Sequence, residues 1–447
     1  MANTYLTRTP ATPTLSTKFT FSAWIKRSFI GNADNTLIAK WSSGANRGHI
    51  NFSDTPDDSL QIFEQVSSST TAYLLTNRLF RDTSAWYHIV FEADSTQATA
   101  SDRLKLYVNG VQETSFSTAT YPSQNYNWQL QALTNNFEIG GLNAGSSLFN
   151  GSMSHIHFID GTAYDATAFG EYDANGVWKI NTSPSVTYGT NGFFILKDGN
   201  SVTDQSGNSN NFTVGGGTLT NTEDSPSNVF CTLNPLAKPG TANTAGMGNG
   251  NTHYNKTSTG VGNNSQANGT LGASSGKYYF ELKTNNDTNL LVGVNDINTK
   301  YNSDGASLGI PSVASGVGYY YNGSKYINGV ETSYGNAWTT NDIVGVAFDL
   351  DNNYIYFSKL GTWQNSGDPT SGSSGTGGIA LTTNITYTPA VQNFNYNFVS
   401  TAYFNFGNGY FGTTAVSSAG TNASGIGIFE YDVPTGYTAL STKGLNL

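Results

Sequence analysis

Residues 86–111 read WYHIVFEADSTQATASDRLKLYVNGV. Tyr87, Ile89, Phe91 and Ala93 alternate with Trp86, His88, Val90 and Glu92, the period of two that sends successive side chains to opposite faces of a strand. Leu104, Leu106 and Val108 repeat it and run into Asn109-Gly110, a dipeptide that supplies two positive-φ residues to a tight turn, after which Val111 resumes the pattern. The stretch predicts antiparallel strands joined by a hairpin. Upstream, Phe19, Phe21, Ala23 and Ile25 alternate with Thr20, Ser22, Trp24 and Lys26 in the same way. Further strands are readable at 136–140, 153–159 and 193–197. No apolar spacing of i, i+3, i+4, i+7 competes, and residues 162–172 (TAYDATAFGEY) are the best candidate for one short helix.

Composition agrees. Of 447 residues only 11% are charged while 13% are aromatic, and 50 are glycine, so the polar fraction is Asn, Ser, Thr and Gly. A coiled coil, a helical bundle or a disordered acidic chain needs a different makeup. Tyr, Phe and Trp favour strands and can fill two cores. The net charge is −10 and no basic stripe exists to neutralise phosphates, which argues against a nucleic-acid partner. One cysteine excludes an internal disulfide framework. The N-terminus MANTYLTRTP lacks an apolar signal region and no run of 18 apolar residues occurs, so neither secretion nor membrane insertion is expected.

After Lys197 the chain is punctuated by Asp198-Gly199-Asn200, Gly215–Gly217, several prolines and the tract TANTAGMGNGN at 241–251. Strands resume at Lys277 with KYYFELK, NLLVGVN, GVGYYYNGSKYING, DIVGVAFDLDNNYIYFSK, TPAVQNF and AYFNFG, and residues 366–378 (SGDPTSGSSGTGG) read as a flexible loop. The fold expected is all-β: two antiparallel sandwiches of jelly-roll type in series. The first spans 1–222, a Gly/Asn/Pro-rich connector 223–276, the second sandwich 277–412, and a C-terminal spacer and strand 413–447.

Candidate chemistry is sparse. Glu92 and Asp94 share a strand face, and paired acids of this kind flank the scissile bond in jelly-roll glycosidases. The third acid of that pattern is missing, since Ser95, Thr96 and Gln97 follow, and a solvent-facing strand end explains the pair more simply. His155 and His157 share a face but lack a third ligand of matching spacing, so no metal site is expected. Asp349-Leu-Asp351-Asn-Asn353 opens like a calcium loop, yet Tyr354 stands where glycine is required and Leu360 where a bidentate acid is required. A turn between strands accounts for it, and calcium held elsewhere by loop carbonyls stays open. Gly272–Gly276 has the letters of a nucleophile elbow without its strand–turn–helix setting. No catalytic residue is therefore assigned.

Aromatics beside amides are commoner: Asn125-Tyr126-Asn127-Trp128, Tyr319-Tyr320-Tyr321-Asn322 and Trp363-Gln364-Asn365. Rings stack on apolar sugar faces while amides bond hydroxyls, although the same rings also build cores and interfaces. Tyr126, Trp128, Tyr320, Asn322 and Trp363 are the candidate binding residues.

The runs FTFSAWIKRS, LIAKW, RLFRDTSAWYHIVFEAD, RLKLYVNGVQ, FEIGGLN and FNGSMSHIHFIDGTAY are similar to laminin-G-like, concanavalin-A-type sandwich domains, and Asp204-Gln-Ser-Gly-Asn208 looks like a turn of that family. From GKYYFELK through DIVGVAFDLDNNYIYFSKLGTW to FNFG, the second half resembles a SPRY domain, a family that implies partner binding through loops without catalysis. FIDGTAYDATAFGEYDANGVW, DQSGNSNNFTV, DSPSNVFCTLNPL and FEYDVPTGYTALSTKGLN are similar to segments of tailed-bacteriophage virion proteins. That resemblance implies a non-enzymatic fibre, spike or capsid decoration exposed on the virion surface, made in the host cytoplasm. Its expected partners are other virion proteins, further copies in a symmetric oligomer such as a trimer, and host-surface glycans. Two rivals stand beside it: a polysaccharide-cleaving glycosidase using Glu92 and Asp94, and a purely structural capsid or tail connector.

Overall fold

The Asn109-Gly110 turn forms as its chemistry requires, both residues taking positive φ with Val108 paired to Val111 across it. A side chain at Gly110 would collide with the indole of Trp178, so the glycine serves packing as well as the turn. The computed structural model describes residues 4–31, 35–197, 201–236, 245–256, 265–286, 289–298, 315–393 and 399–447. Asp198-Gly199-Asn200 and residues 241–244 lie outside these. The chain divides into two compact units, 1–221 and 222–447.

In the first unit, two antiparallel sheets stack. The eight-stranded sheet runs in the order Phe116–Thr120, Ser69–Leu79, Asp57–Val66, Asn46–Asp54, Asn35–Ser43, Phe137–Ile139, Tyr5–Arg8, Thr213–Gly216. The six-stranded sheet runs Phe193–Ile195, Gly151–Asp160, Lys18–Arg27, Tyr87–Asp94, Leu104–Val108, Val111–Glu113. The alternation read from the sequence decides which residues meet: Phe19, Phe21, Ile89, Phe91, Ile156 and Phe158 face Ile50, Phe52, Leu60, Ile62, Leu74 and Phe137 in one core. Phe19 stacks on Phe158 at 5.6 Å and meets Trp128 edge-on at 5.5 Å.

The opposite face of the six-stranded sheet is not left to water, which is why both parities of Lys18–Arg27 are buried. The hairpin Gly170–Tyr172/Trp178–Ile180 lays Trp178 near His88, and Trp24 stacks on His88 at 4.8 Å. Trp178 Nε1–H donates to His88 Nδ1 (2.9 Å), which leaves the His88 proton on Nε2, facing Ser22 Oγ at 2.9 Å. The helix expected in 162–172 is only a 3-10 turn, Ala166–Ala168, followed directly by the strand Gly170–Tyr172. Asp165 accepts from Thr167 N–H there, and the short polar residues favour a turn over a continuing helix.

Also in this unit, the Arg27 guanidinium is fully enclosed, 2.9 Å from Asp58, donating to the Phe80 carbonyl and lying over the Phe52 ring at 4.3 Å. Arg81 closes the other side of Asp58 at 3.0 Å.

The second unit repeats the plan. One sheet runs Ala245–Gly248, His253–Lys256, Ser400–Asn405, Lys277–Asn286, Ile343–Asp349, Tyr354–Lys359, Thr362–Trp363, and the facing sheet runs Ser265–Asn268, Tyr387–Asn393, Leu290–Asp296, Val317–Tyr320, Ser324–Ile327, Val330–Ser333. Phe280, Leu282, Val344, Val346 and Phe348 pack against Val292, Val294, Tyr319 and Val391 between them. The described part of 223–276 supplies strands to both sheets, and the C-terminal pair Thr438–Ala439 runs parallel to Tyr278–Tyr279. Phe429, Val433 and Tyr437 cover the outward side of Tyr279 and Tyr356. The loop 366–378 is held by its own bonds, with Asp368 N–H donating to the Thr376 carbonyl (3.0 Å) and Thr370 N–H to the Asp368 carboxylate (2.8 Å).

Asp58→Ala would strand Arg27 inside the protein without its counter-charge. The expected loss is about 3–5 kcal/mol of folding stability, checked by urea denaturation followed through tryptophan fluorescence.

Candidate binding face

The eight-stranded sheet turns Ile50, Phe52, Leu60, Ile62 and Leu74 inward, so period two sends the intervening residues outward. Register then assembles them into rows. Trp41 pairs with Arg47, and Arg47 with Gln65; His49 pairs with Phe63, and Phe63 with Tyr73. The Arg47 guanidinium carbon lies 4.8 Å from the Trp41 ring centre and 5.2 Å from that of Phe63. His49 lies 5.3 Å from Phe63, and Tyr73 meets Phe63 edge-on at 5.4 Å. The result is one continuous strip, Trp41–Arg47–Phe63–Tyr73, with His49 beneath it. Trp41, Arg47, Phe63 and Tyr73 each keep part of their surface in solvent.

Three polar atoms in this strip are buried without a hydrogen-bond partner: Arg47 Nε, His49 Nδ1 and Gln65 Oε1. A guanidinium donor, an imidazole nitrogen and an amide acceptor on one sheet face form a partly desolvated set that a ligand carrying hydroxyls can satisfy. Burial lowers the His49 pKa to about 3, with Arg47 adding to the effect, so the ring is neutral at physiological pH.

The residues expected to bind occupy other places. Trp128 is fully buried, donating its Nε1–H to the Thr17 carbonyl (3.0 Å) against Phe19, and so has no free ring face. Tyr126, half-buried, donates its hydroxyl to Glu64 (3.1 Å) and lies 2.8 Å from Thr71 Oγ1. Tyr320 is buried, its hydroxyl donating to Asn289 Oδ1 (2.7 Å). Asn322 is exposed, but its amide donates to Glu331 (2.8 Å) and its Oδ1 caps Ser324 N–H (3.0 Å). Trp363 is half-buried against the cluster of Tyr279, Phe429 and Tyr437. Tyr126 and Trp128 belong to one packed neighbourhood, Tyr320 and Asn322 to one turn, and Trp363 to the cover of the second sandwich.

Glu92 accepts from Tyr107 O–H (2.8 Å) with Lys105 at 3.6 Å, and Asp94 is met by Lys18 at 3.0 Å and by Thr96 and Gln97. Burial opposes ionisation of Asp94, but the bonds from Thr96, Gln97 and Lys18 outweigh it and hold the pKa below the usual range. His155 takes positive φ at a bulge between Ser154 and His157, while His157 lies 3.9 Å from Phe194 and 2.9 Å from the Tyr188 hydroxyl. Asp349 pairs with Lys277 (3.0 Å) and caps Asp351 and Asn352 N–H, a turn between strands as expected. Among the described residues no three His, Cys, Asp or Glu side chains converge as a metal site, and no helix is long and apolar enough to cross a membrane.

Residues 2–166 match the family model of the concanavalin A-like lectin/glucanases superfamily, and residues 277–378 match that of the SPRY domain. The chain thus carries a concanavalin-A-like domain followed by a SPRY domain, both families commonly acting as binding or interaction modules. Among solved structures it is similar to the SPRY domain of human HERC1 (16% identity, TM-score 0.28, covering 38% of this chain and 96% of that one). It is similar to stonustoxin (16%, TM-score 0.30, 39% and 27%) and to the PSpry domain of TRIM65 (14%, TM-score 0.29, 39% and 88%). No curated protein matches the chain.

The buried imidazoles make a pH prediction. His49 and His88 are each lowered to about 3 by burial and His157 well below its ordinary value, whereas the unfolded chain takes up their protons near pH 6.5. Stability in the first unit therefore falls as pH drops below 6.5, by up to about 1.4 kcal/mol per pH unit for each net proton. Glu64, raised to about 7 by burial, works the other way: its contribution is full below pH 4.5 and is lost as pH rises through 7. Three imidazoles outweigh one carboxyl. In the second unit Glu281, raised to about 7, opposes a lowered His253, so the change there is smaller. Hydrogen exchange read by mass spectrometry, corrected for intrinsic rates, is expected to show lower protection in 1–221 at pH 5 than at pH 7.

Proposed function

We propose that this chain is a non-enzymatic surface protein of a tailed-bacteriophage virion, and that it attaches to host glycans through the outer face of its eight-stranded sheet. The observation that carries the glycan reading is the strip itself. Half-exposed rings of Trp41, Phe63 and Tyr73 offer stacking surfaces, while Arg47, His49 and Gln65 hold buried polar atoms that lack partners. Aromatic platforms with a few convergent polar groups suit sugar rings, which are apolar on one side and hydroxylated at the edge. The match of residues 2–166 to a lectin and glucanase superfamily supports the same reading. The virion setting rests on the likeness of segments such as FIDGTAYDATAFGEYDANGVW and DSPSNVFCTLNPL to those of phage particle proteins. On a particle, repeated copies in a symmetric oligomer such as a trimer would turn weak single contacts into firm attachment through effective concentration.

Titrating purified host surface polysaccharide onto the full chain tests this. Trp41→Ala and Phe63→Ala are each expected to weaken binding tenfold or more, as central aromatic anchors do, while Asn322→Ala leaves it unchanged and wild type releases no reducing sugar. Undiminished binding by both aromatic variants would overturn the assignment of the face. Antibody labelling of intact particles tests the virion setting, with failure to decorate any particle counting against it.

A further inference from the structure

The chain has six arginines, and five of them donate to oxygen. Arg27 and Arg81 meet Asp58, Arg78 meets Glu113, Arg103 donates to the carbonyls of Gln97, Ala98 and Pro122, and Arg8 donates to Asn191 and Asn210. Arg47 is the exception among the described residues: it lies against the π faces of Trp41 and Phe63, and its buried Nε has no acceptor. Its cross-strand partner at the position where a sheet commonly places an acid is Gln65, whose own Oε1 is also unmatched.

Resting on the glycan reading of this face, we propose that the sugar it takes is carboxylated, of the uronic-acid class, with its carboxylate meeting Arg47 between Trp41 and Phe63. A guanidinium presents planar N–H donors whose geometry fits the two oxygens of a carboxylate, and it stacks on aromatic rings without losing those donors. The rings of Trp41 and Phe63 hold the guanidinium plane in place, so little side-chain freedom is lost when the anion arrives. A hydroxyl on the same sugar can then donate to Gln65 Oε1, and His49 Nδ1 can take a second hydroxyl. The net charge of −10 opposes long-range attraction of an anion, but at physiological salt that field is screened within about 8–10 Å, so recognition here is local.

The test uses the full chain and acidic oligosaccharides of defined length (oligogalacturonate, oligoguluronate and hyaluronan fragments), each beside its carboxyl-reduced neutral form, with affinity measured by calorimetry. At least one acidic form is expected to bind tenfold or more tighter than its reduced counterpart. Arg47→Gln should erase that difference. Gln65→Glu, which supplies Arg47 with an internal carboxylate from the paired strand, should also erase it. Trp41→Ala should weaken both forms together. Urea midpoints identify a variant that fails to fold, and because Arg47→Gln and Gln65→Glu alter opposite strands, either can carry the test alone. Equal affinity for acidic and reduced forms overturns the carboxylate assignment and leaves the glycan face standing. Binding of neither form, to a chain that also ignores host polysaccharide, removes both.

Discussion

Each sandwich is braced by a buried carboxylate that accepts two successive backbone N–H groups from a distant segment. Glu64 accepts from Gln129 (2.6 Å) and Leu130 (3.1 Å) with the Tyr126 hydroxyl as third donor. Glu281 accepts from Glu430 and Tyr431, both at 2.9 Å, with Asn405 and Tyr279 beside them. Burial pushes both pKa values up to about 7, so each carboxylate depends on these donors to stay in the interior. The dependence is mutual, because the backbone N–H groups would otherwise be buried unpaired. The segment 125–133 is thereby tied under the eight-stranded sheet, and the C-terminal segment is tied over the second sandwich.

That tie explains where the candidate strip can lie. Glu64 points inward, so its neighbours Phe63 and Gln65 must point outward, and the cross-strand partners of those two are His49 and Arg47. Gly48, between them, is squeezed against the Glu64 carboxylate and the backbone of Leu130, where a side chain would not fit. The inward acid and the outward strip are two consequences of one register.

Much of the fold was legible in the sequence because alternation and turn chemistry are local. The period of two at Phe19–Lys26 and Tyr87–Asp94 names the core-facing residues, and Asn109-Gly110 marks a turn whose residues do take positive φ. The candidate strip was not legible, because its members come from four strands and become neighbours only through pairing. Register shifts near Trp41/Ser43 and Glu64/Gln65 also defeat simple counting. The aromatic–amide clusters turn on a related point. Asn127-Trp128 has the letters of a sugar site, but exposure is decided by tertiary packing, and Trp128 fills the core beside Phe19.

In the first sandwich Glu92 is met by Lys105 and Tyr107, Asp94 by Lys18 and Glu113 by Arg78. A glycosidase needs the reverse, an acid kept protonated by an apolar wall and a second left ionised across the bond to be cut. Among the described residues of this unit, Glu64 has its pKa raised to about 7, and it is fully buried with its oxygens on backbone N–H groups. Among the described residues, the outer sheet face leaves a guanidinium Nε, an imidazole nitrogen and an amide oxygen without partners among aromatic rings, an arrangement suited to holding a polar ring in place.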